Sequence, residues 1–161
     1  MILAATGEDS KKILGFIKKL KFPKNFKKYQ AFSFVLPDQF SELAPMLGIK
    51  GDELFGPHLC LRAFPDGHAR HAKFVNLWDG ELIINLGKKK FYFGDKKNNW
   101  NINLPAGAKT GLMMALTYYI VGKIQSAKPS YFKDHIERYC NDYGPKAYGK
   151  KEKFEVVVPG N

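Results

Sequence analysis

The hydrophobic residues of this chain fall into short runs separated by turn-forming residues, and this pattern constrains the fold more than any other feature. HLCLRAF and HARHAKFVNLW flank PDG, and ELIINL and KFYF flank GKK, so each pair predicts a β-hairpin. NWNINL predicts a further strand, and AFSFVL alternates so that Phe32, Phe34 and Leu36 share one side. The runs therefore predict an α+β fold with an antiparallel sheet of five to seven strands packed against two or more helices.

Helices are predicted over residues 10–20, 38–48, 108–125 and 129–141. Asp9 or Ser10 can cap the first of these, and Asp38 can cap the second, which Gly48 ends. The helix over 108–125 is apolar on nearly all sides, so we expect it to be central or to lie in the interface of a homo-oligomer.

The length of 161 residues predicts a single domain over residues 1–161, with a flexible basic C-terminal segment over 143–161 as a candidate. Cys60 and Cys140 are far apart and give no disulfide framework, which favours the cytoplasm or another reducing intracellular compartment. The longest apolar run, 112–121, is shorter than the roughly 20 residues that a membrane-spanning helix needs, so no membrane span is expected.

The net charge of +11 and the pI near 9.6 are typical of a protein that binds nucleic acid. Only Arg62, Arg70 and Arg138 among the 26 basic residues are arginines. Because lysine acts as a flexible point charge and arginine as a planar fork, this composition suits phosphate neutralisation better than base reading. The same charge would also suit docking on an acidic protein.

Lysines and aromatic residues alternate in three segments, 21–34, 88–100 and 128–154. A strand through Phe91, Tyr92 and Phe93 sends Tyr92 to one face and the two phenylalanines to the other. Unless both sheet faces are covered, either Tyr92 or the two phenylalanines are expected to face solvent or a partner. Rings on an exposed sheet face can stack on bases while nearby lysines hold phosphates. The predicted binding residues are Lys24, Lys27, Lys28, Lys88, Lys89, Lys90, Tyr92, Lys96, Lys97, Trp100, Lys150 and Lys151.

Catalytic and metal-binding patterns are weak in this sequence. His58, Cys60, His68 and His71 are all candidate zinc ligands, but a hairpin around PDG would turn His71 to the opposite face. Pro65-Asp66 with Asp95-Lys96-Lys97 loosely matches the PD…DxK arrangement of magnesium-dependent nucleases. His68 and His71 could act as acid and base, but the same hairpin separates them. GxGxxG and P-loop patterns are absent, and no cofactor is predicted.

We therefore expect a protein that binds single-stranded DNA or RNA with little sequence specificity, as an accessory to replication, recombination or RNA handling. A small viral or phage protein is one source that fits. Hairpins followed by a helix are similar, in topology only, to the single-strand-binding folds of the transcriptional-coactivator and OB types. The alternatives are an inhibitor module that docks on an acidic surface of a nucleic-acid enzyme, and a small metal-dependent nuclease that uses Asp66 and Asp95.

Overall fold

A single parallel sheet organises the part of the chain that the structure, a computed structural model, describes: residues 5–71, 78–87, 95–129 and 131–138. Its strands are β1 (Ala31–Leu36), β2 (Cys60–Pro65), β3 (Glu81–Leu86) and β4 (Asn99–Ile102), in the order β2-β1-β3-β4. All three neighbouring pairs are parallel. The amino ends of the strands therefore lie along one side of the sheet, the amino edge, and the carboxyl ends along the opposite side, the carboxyl edge.

Helices occupy most of the connections. They are α1 (Ser10–Lys18), α2 (Leu43–Phe55), α3 (Asp66–His71), α4 (Thr110–Ala127) and α5 (Tyr131–Arg138). Short 3₁₀ turns cover Phe26–Lys28, Asp38–Phe40, Gly56–His58 and Lys96–Asn98. The first, third and fourth of these turns precede β1, β2 and β4 within a few residues, so they lie at the amino edge.

The predicted antiparallel sheet of five to seven strands is wrong, although the expected mixture of helices and strands is confirmed. Both β1 and β3 are buried at all six positions, because helices or loops cover both faces of the sheet. Near-continuous apolar strands of this kind are typical of parallel sheets. The topological likeness to the coactivator and OB folds therefore does not hold.

Both predicted hairpins fail for identifiable reasons. The PDG segment starts α3 instead of a turn, so HLCLRAF enters the sheet alone and pairs in parallel with β1. The ELIINL strand pairs with β1 on one side and with β4 on the other, so it has no free edge with which KFYF could form a hairpin. KFYF itself lies outside the described residues.

One face of the sheet is apolar and carries the main core. Phe32, Phe34 and Leu36 share this face, as the alternation predicted, and they pack with buried residues of β3 and β4. The helices α2 and α4 cover it through side chains such as Leu47 and Leu116. Burial of large apolar side chains, each worth about 1.5–3 kcal/mol, makes this layer the principal source of stability.

The opposite face of the sheet mixes polar and apolar side chains. Val35 and Ile83 pack there with Ala69 of α3. Beside them, the Glu81 carboxylate accepts hydrogen bonds from the Ser33 hydroxyl and from the Arg62 guanidinium, the latter at 2.6 Å. These contacts tie β1, β2 and β3 together, because each strand contributes one of the three side chains.

Helical structure is present in each of the four regions where it was predicted, although the bounds differ. Asp9 caps α1 by accepting a hydrogen bond from the Lys11 amide at 2.8 Å, as one of the two predicted caps. The apolar helix α4 is central, with Met113, Leu116 and Ile120 fully buried. The predicted stop at Gly48 is wrong, since α2 continues through this residue to Phe55. Within the described ranges, no helix is long and apolar enough to cross a membrane.

Replacing Glu81 with alanine should destabilise the protein by about 1–3 kcal/mol, because the buried Ser33 hydroxyl and Arg62 lose this acceptor. Urea denaturation followed by circular dichroism measures the change. Glu53→Ala is the matched control: it breaks an exposed pair with Lys50 on α2 and should cost at most about 0.5 kcal/mol. Equal stabilities of the two variants would contradict this assignment.

Candidate functional site

Lysines from three distant segments meet at the amino edge of the sheet. Lys27 and Lys28 end the 3₁₀ turn before β1, and Lys96 and Lys97 begin the turn before β4. Lys128 follows α4, and its ammonium donates a hydrogen bond to the Lys27 carbonyl at 2.9 Å. We call these five residues the basic edge. Lys24 is exposed in the same segment as Lys27, three residues earlier.

Asp79, in the turn before β3, connects the segments of the basic edge. Its carboxylate lies 2.9 Å from the Lys97 ammonium and accepts a hydrogen bond from the Asn98 amide at 3.2 Å. The buried Tyr29 hydroxyl in turn donates to the Asn98 side-chain oxygen at 3.3 Å. Hydrogen bonds from Lys97 and Asn98, together with the charges of Lys97 and Lys28, hold the pKa of Asp79 below its ordinary value. One carboxylate thus offsets repulsion among several cations.

Trp78, in the turn before β3, places an exposed aromatic ring at the same edge of the sheet. Its side chain is 52% exposed, and it directly precedes Asp79. The indole lies over Gly80, because a Cβ placed at Gly80 would come within 2.3 Å of the Trp78 ring. The Gly80 carbonyl accepts hydrogen bonds from the Gln30 and Ala31 amides at 2.7 and 3.1 Å, which holds the turn against the start of β1.

The twelve predicted binding residues fall into three groups: one is buried, five are exposed at the amino edge, and six lie outside the described residues. Trp100 is only 9% exposed and packs against the Phe22 ring at a centroid distance of 4.7 Å, so it belongs to the core and its ring is not available to a base. Lys24, Lys27, Lys28, Lys96 and Lys97 are exposed at one edge. The remaining predicted residues, Lys88, Lys89, Lys90, Tyr92, Lys150 and Lys151, lie outside the described residues, as does segment 143–161.

The candidate zinc ligands do not meet. His58 and Cys60 lie at the start of β2, whereas His68 and His71 lie in α3 beyond its end. The six residues of β2 span about 17 Å, which is far more than the separation between residues that bind one zinc ion. Among the described residues, no group of three or more His, Cys, Asp or Glu side chains is placed to hold a metal ion.

The nuclease pattern is also dispersed. Asp66 begins α3 at the carboxyl edge, next to β2, and its carboxylate pairs with Arg70 at 3.3 Å. Asp95 lies at the amino edge, just before β4. Since β2 and β4 are the outermost strands, about 14 Å of sheet width also separates the two carboxylates. They cannot share a metal ion in this arrangement.

The amino edge can bind a flexible polyanion and offer it one stacking surface. Lysine ammonium groups neutralise phosphates without selecting a sequence, and an exposed indole can stack on any base. The sequence patterns missed Trp78, because it lies outside the three segments in which lysines and aromatic residues alternate. Lys128 begins the third of these segments but was not among the predicted binding residues. The signal for Trp78 was its position in WDG, directly before a strand.

Comparisons of the chain with known protein families, with curated proteins and with solved structures found no match.

The pKa of Asp79 should respond to Lys97. In the folded protein this carboxyl titrates below an ordinary aspartate, so its contribution to stability is present above the unfolded pKa and is lost as pH falls through the folded pKa. In Lys97→Gln, the titration midpoint of Asp79, followed by carboxyl ¹³C NMR, should move upward. An unchanged midpoint would show that Lys97 does not hold this carboxylate in solution.

Proposed function

We propose that this protein binds single-stranded nucleic acid along the amino edge of its sheet, with little sequence specificity. The observation that carries the proposal is the convergence of lysines from three separate segments at the amino edge, where the exposed Trp78 directly precedes the Asp79 that pairs with Lys97. The lysines would hold successive phosphates, and Trp78 would stack on a base between them. The binding surface is thus an edge of the sheet, in place of the exposed sheet face expected from the sequence.

The charge arrangement supports phosphate binding. Lys27, Lys28, Lys96 and Lys97 are exposed, and Lys97 is held in place by Asp79 and by Asp95 at 2.9 and 3.6 Å. Each phosphate that a lysine neutralises releases condensed counterions from the nucleic acid, so affinity falls as salt rises. An edge of this kind gives fast, unspecific association and needs no metal or cofactor.

Trp78 supports a nucleic acid over the alternative of an acidic protein partner. A basic surface alone would suit either ligand, since both are polyanions. An indole exposed at the same edge as the lysines favours ligands with flat aromatic rings between their charges, which single-stranded DNA and RNA have and acidic peptides lack. The inhibitor hypothesis then becomes one outcome of the binding test.

Removing the indole should weaken binding strongly. Trp78→Ala is expected to reduce affinity for a single-stranded oligonucleotide by the 1–3 kcal/mol, roughly, that one stacked base contributes. Fluorescence anisotropy with a labelled oligonucleotide measures this change. Tyr118→Ala is the matched control, because Tyr118 is 40% exposed on α4 and its charged neighbour is Lys50 of α2, which is not part of the basic edge. Quenching of Trp78 emission on binding, measured in a Trp100→Phe background, gives a second readout.

Each lysine that contacts a phosphate should contribute to the salt dependence. Lys28→Gln and Lys97→Gln should each lower the slope of log affinity against log salt by about 0.7, the value for single strands. Lys12→Gln serves as the control, because Lys12 lines a cavity with Pro105 near the opposite edge of the sheet. In contrast, Asp79→Asn should increase the affinity for the oligonucleotide, because it removes a negative charge from beside the lysines of the basic edge.

Two results would count against the proposal. If the wild-type protein binds single strands and duplex equally weakly and loses both near physiological salt, the net charge of +11 attracts nucleic acid only through non-specific electrostatics. If Trp78→Ala and Tyr118→Ala have the same affinity as the wild type, stacking at the amino edge is not part of binding. Either result would direct attention to an acidic protein partner.

A further inference from the structure

A cavity of about 430 Å³ lies beside the basic edge, between the turn before β2 and the start of α5. Its volume lies in the range of about 300–1,000 Å³ that small-molecule sites occupy. Phe55 and Leu59, both buried, contribute apolar lining, and Lys128 contributes a cation. The cavity therefore has apolar lining together with one cation, Lys128, and one carboxylate, Asp134, a combination of apolar and polar groups that is usual in small-molecule sites.

Besides Phe55, three aromatic rings line this cavity, which we call the ring cavity. Tyr131 stacks on His135 with a centroid distance of 4.4 Å and an interplanar angle of 22°. His58 lies at a tilt to Tyr131, with centroids 5.2 Å apart. His135 is further held by a contact of 2.8 Å between its Nδ1 and the Tyr131 carbonyl oxygen. Such a ring cluster offers flat and edge surfaces to another aromatic ring.

Gly56 is required for the position of the Tyr131 ring. Its φ is +52°, a conformation that L side chains rarely adopt, and a Cβ there would lie 2.4 Å from Cζ of Tyr131. The backbone of the turn before β2 and the ring of α5 thus fit each other closely. This fit brings α5 against the cavity and keeps the tyrosine ring in its wall.

Lys128 links the ring cavity to the basic edge. Its ammonium donates to the Lys27 carbonyl at 2.9 Å, and Lys27 belongs to the surface proposed to hold phosphates. Partial burial lowers the pKa of Lys128, because removal from water penalises its charged form. An anionic group in the cavity would offset this penalty. Asp134 also lines the cavity and could accept a hydrogen bond from a donor on the ligand.

We propose that the ring cavity holds one nucleotide of the bound strand, with its base among the rings of His58, Tyr131 and His135 and its phosphate beside Lys128. This inference rests on the proposed function, because the nucleotide belongs to the strand that the basic edge binds. An aromatic heterocycle joined to a phosphate matches both halves of the cavity, the rings and the cation.

Proton NMR of the histidine rings tests the proposal with adenosine 5′-monophosphate as the probe. The chain has four histidines: His58 and His135 line the ring cavity, and His68 and His71 lie in α3 at the opposite edge. The nucleotide should shift the first two signals saturably and leave the other two unchanged. Ribose 5-phosphate, which has the same phosphate but no base, should bind about tenfold more weakly, as expected for the loss of one stacked base.

Variants separate the ring cavity from the basic edge. Tyr131→Leu should weaken binding of adenosine 5′-monophosphate about tenfold, and Tyr131→Phe should preserve it. His135→Ala, on the exposed side of α5, removes a ring without altering the fit at Gly56 and should also weaken binding severalfold. Lys96→Gln, on the basic edge, should leave mononucleotide binding unchanged while reducing affinity for the oligonucleotide.

The outcomes distinguish this inference from the proposed function. If the oligonucleotide binds but adenosine 5′-monophosphate shifts neither His58 nor His135 at millimolar concentration, the ring cavity is not a nucleotide site and the basic edge stands. If ribose 5-phosphate binds as tightly as the nucleotide, the cavity recognises phosphate alone, which overturns the role given to the rings. If the oligonucleotide does not bind, the proposed function and the strand-borne nucleotide are both overturned.

Discussion

The parallel pairing of β1 with both β2 and β3 is the constraint on which the rest of this structure depends. A parallel strand must begin at the same edge as its neighbours, so the segments that precede the strands collect along one side of the sheet. In this chain those segments carry lysines, Asp79 and Trp78. Residues about 70 positions apart in the sequence, such as Tyr29 and Asn98, are thereby brought within hydrogen-bond distance.

The same pairing removes a sheet face as a binding surface. One face is covered by α2 and α4, and the other contains the contacts of the buried Glu81 with the buried Ser33 and with Arg62, which is partly exposed. Aromatic residues in β1 and β4 therefore stabilise the core, as Phe34 and Trp100 do. A ring that is to meet a ligand has to lie outside the strands, as Trp78 does in the turn before β3 and Tyr131 does at the start of α5.

Electrostatic repulsion limits how many lysines one edge can carry. Asp79 relieves part of this repulsion at the basic edge, where Lys97 and Asn98 contact its carboxylate and the charge of Lys28 also acts on it. Because Asp79 and Lys97 are exposed, their ion pair contributes little to stability, and its main effect is on the position and direction of the ammonium group. A bound phosphate strand would take over the same neutralising role along the remaining lysines.

The sequence by itself determined the charge of the surface, the capped helix that follows Asp9, the central apolar helix α4 and the shared face of Phe32, Phe34 and Leu36. These features depend on composition and on periodicity within a few residues, which are local properties. Strand direction is not local, since the same apolar run can pair either way. Only the tertiary structure decided that PDG starts a helix, that Trp100 is buried while Trp78 is exposed, and that His58 and His71 lie at opposite ends of β2. Each of these outcomes depends on the direction in which a segment enters the sheet. That direction is set by packing among parts of the chain that are distant in sequence.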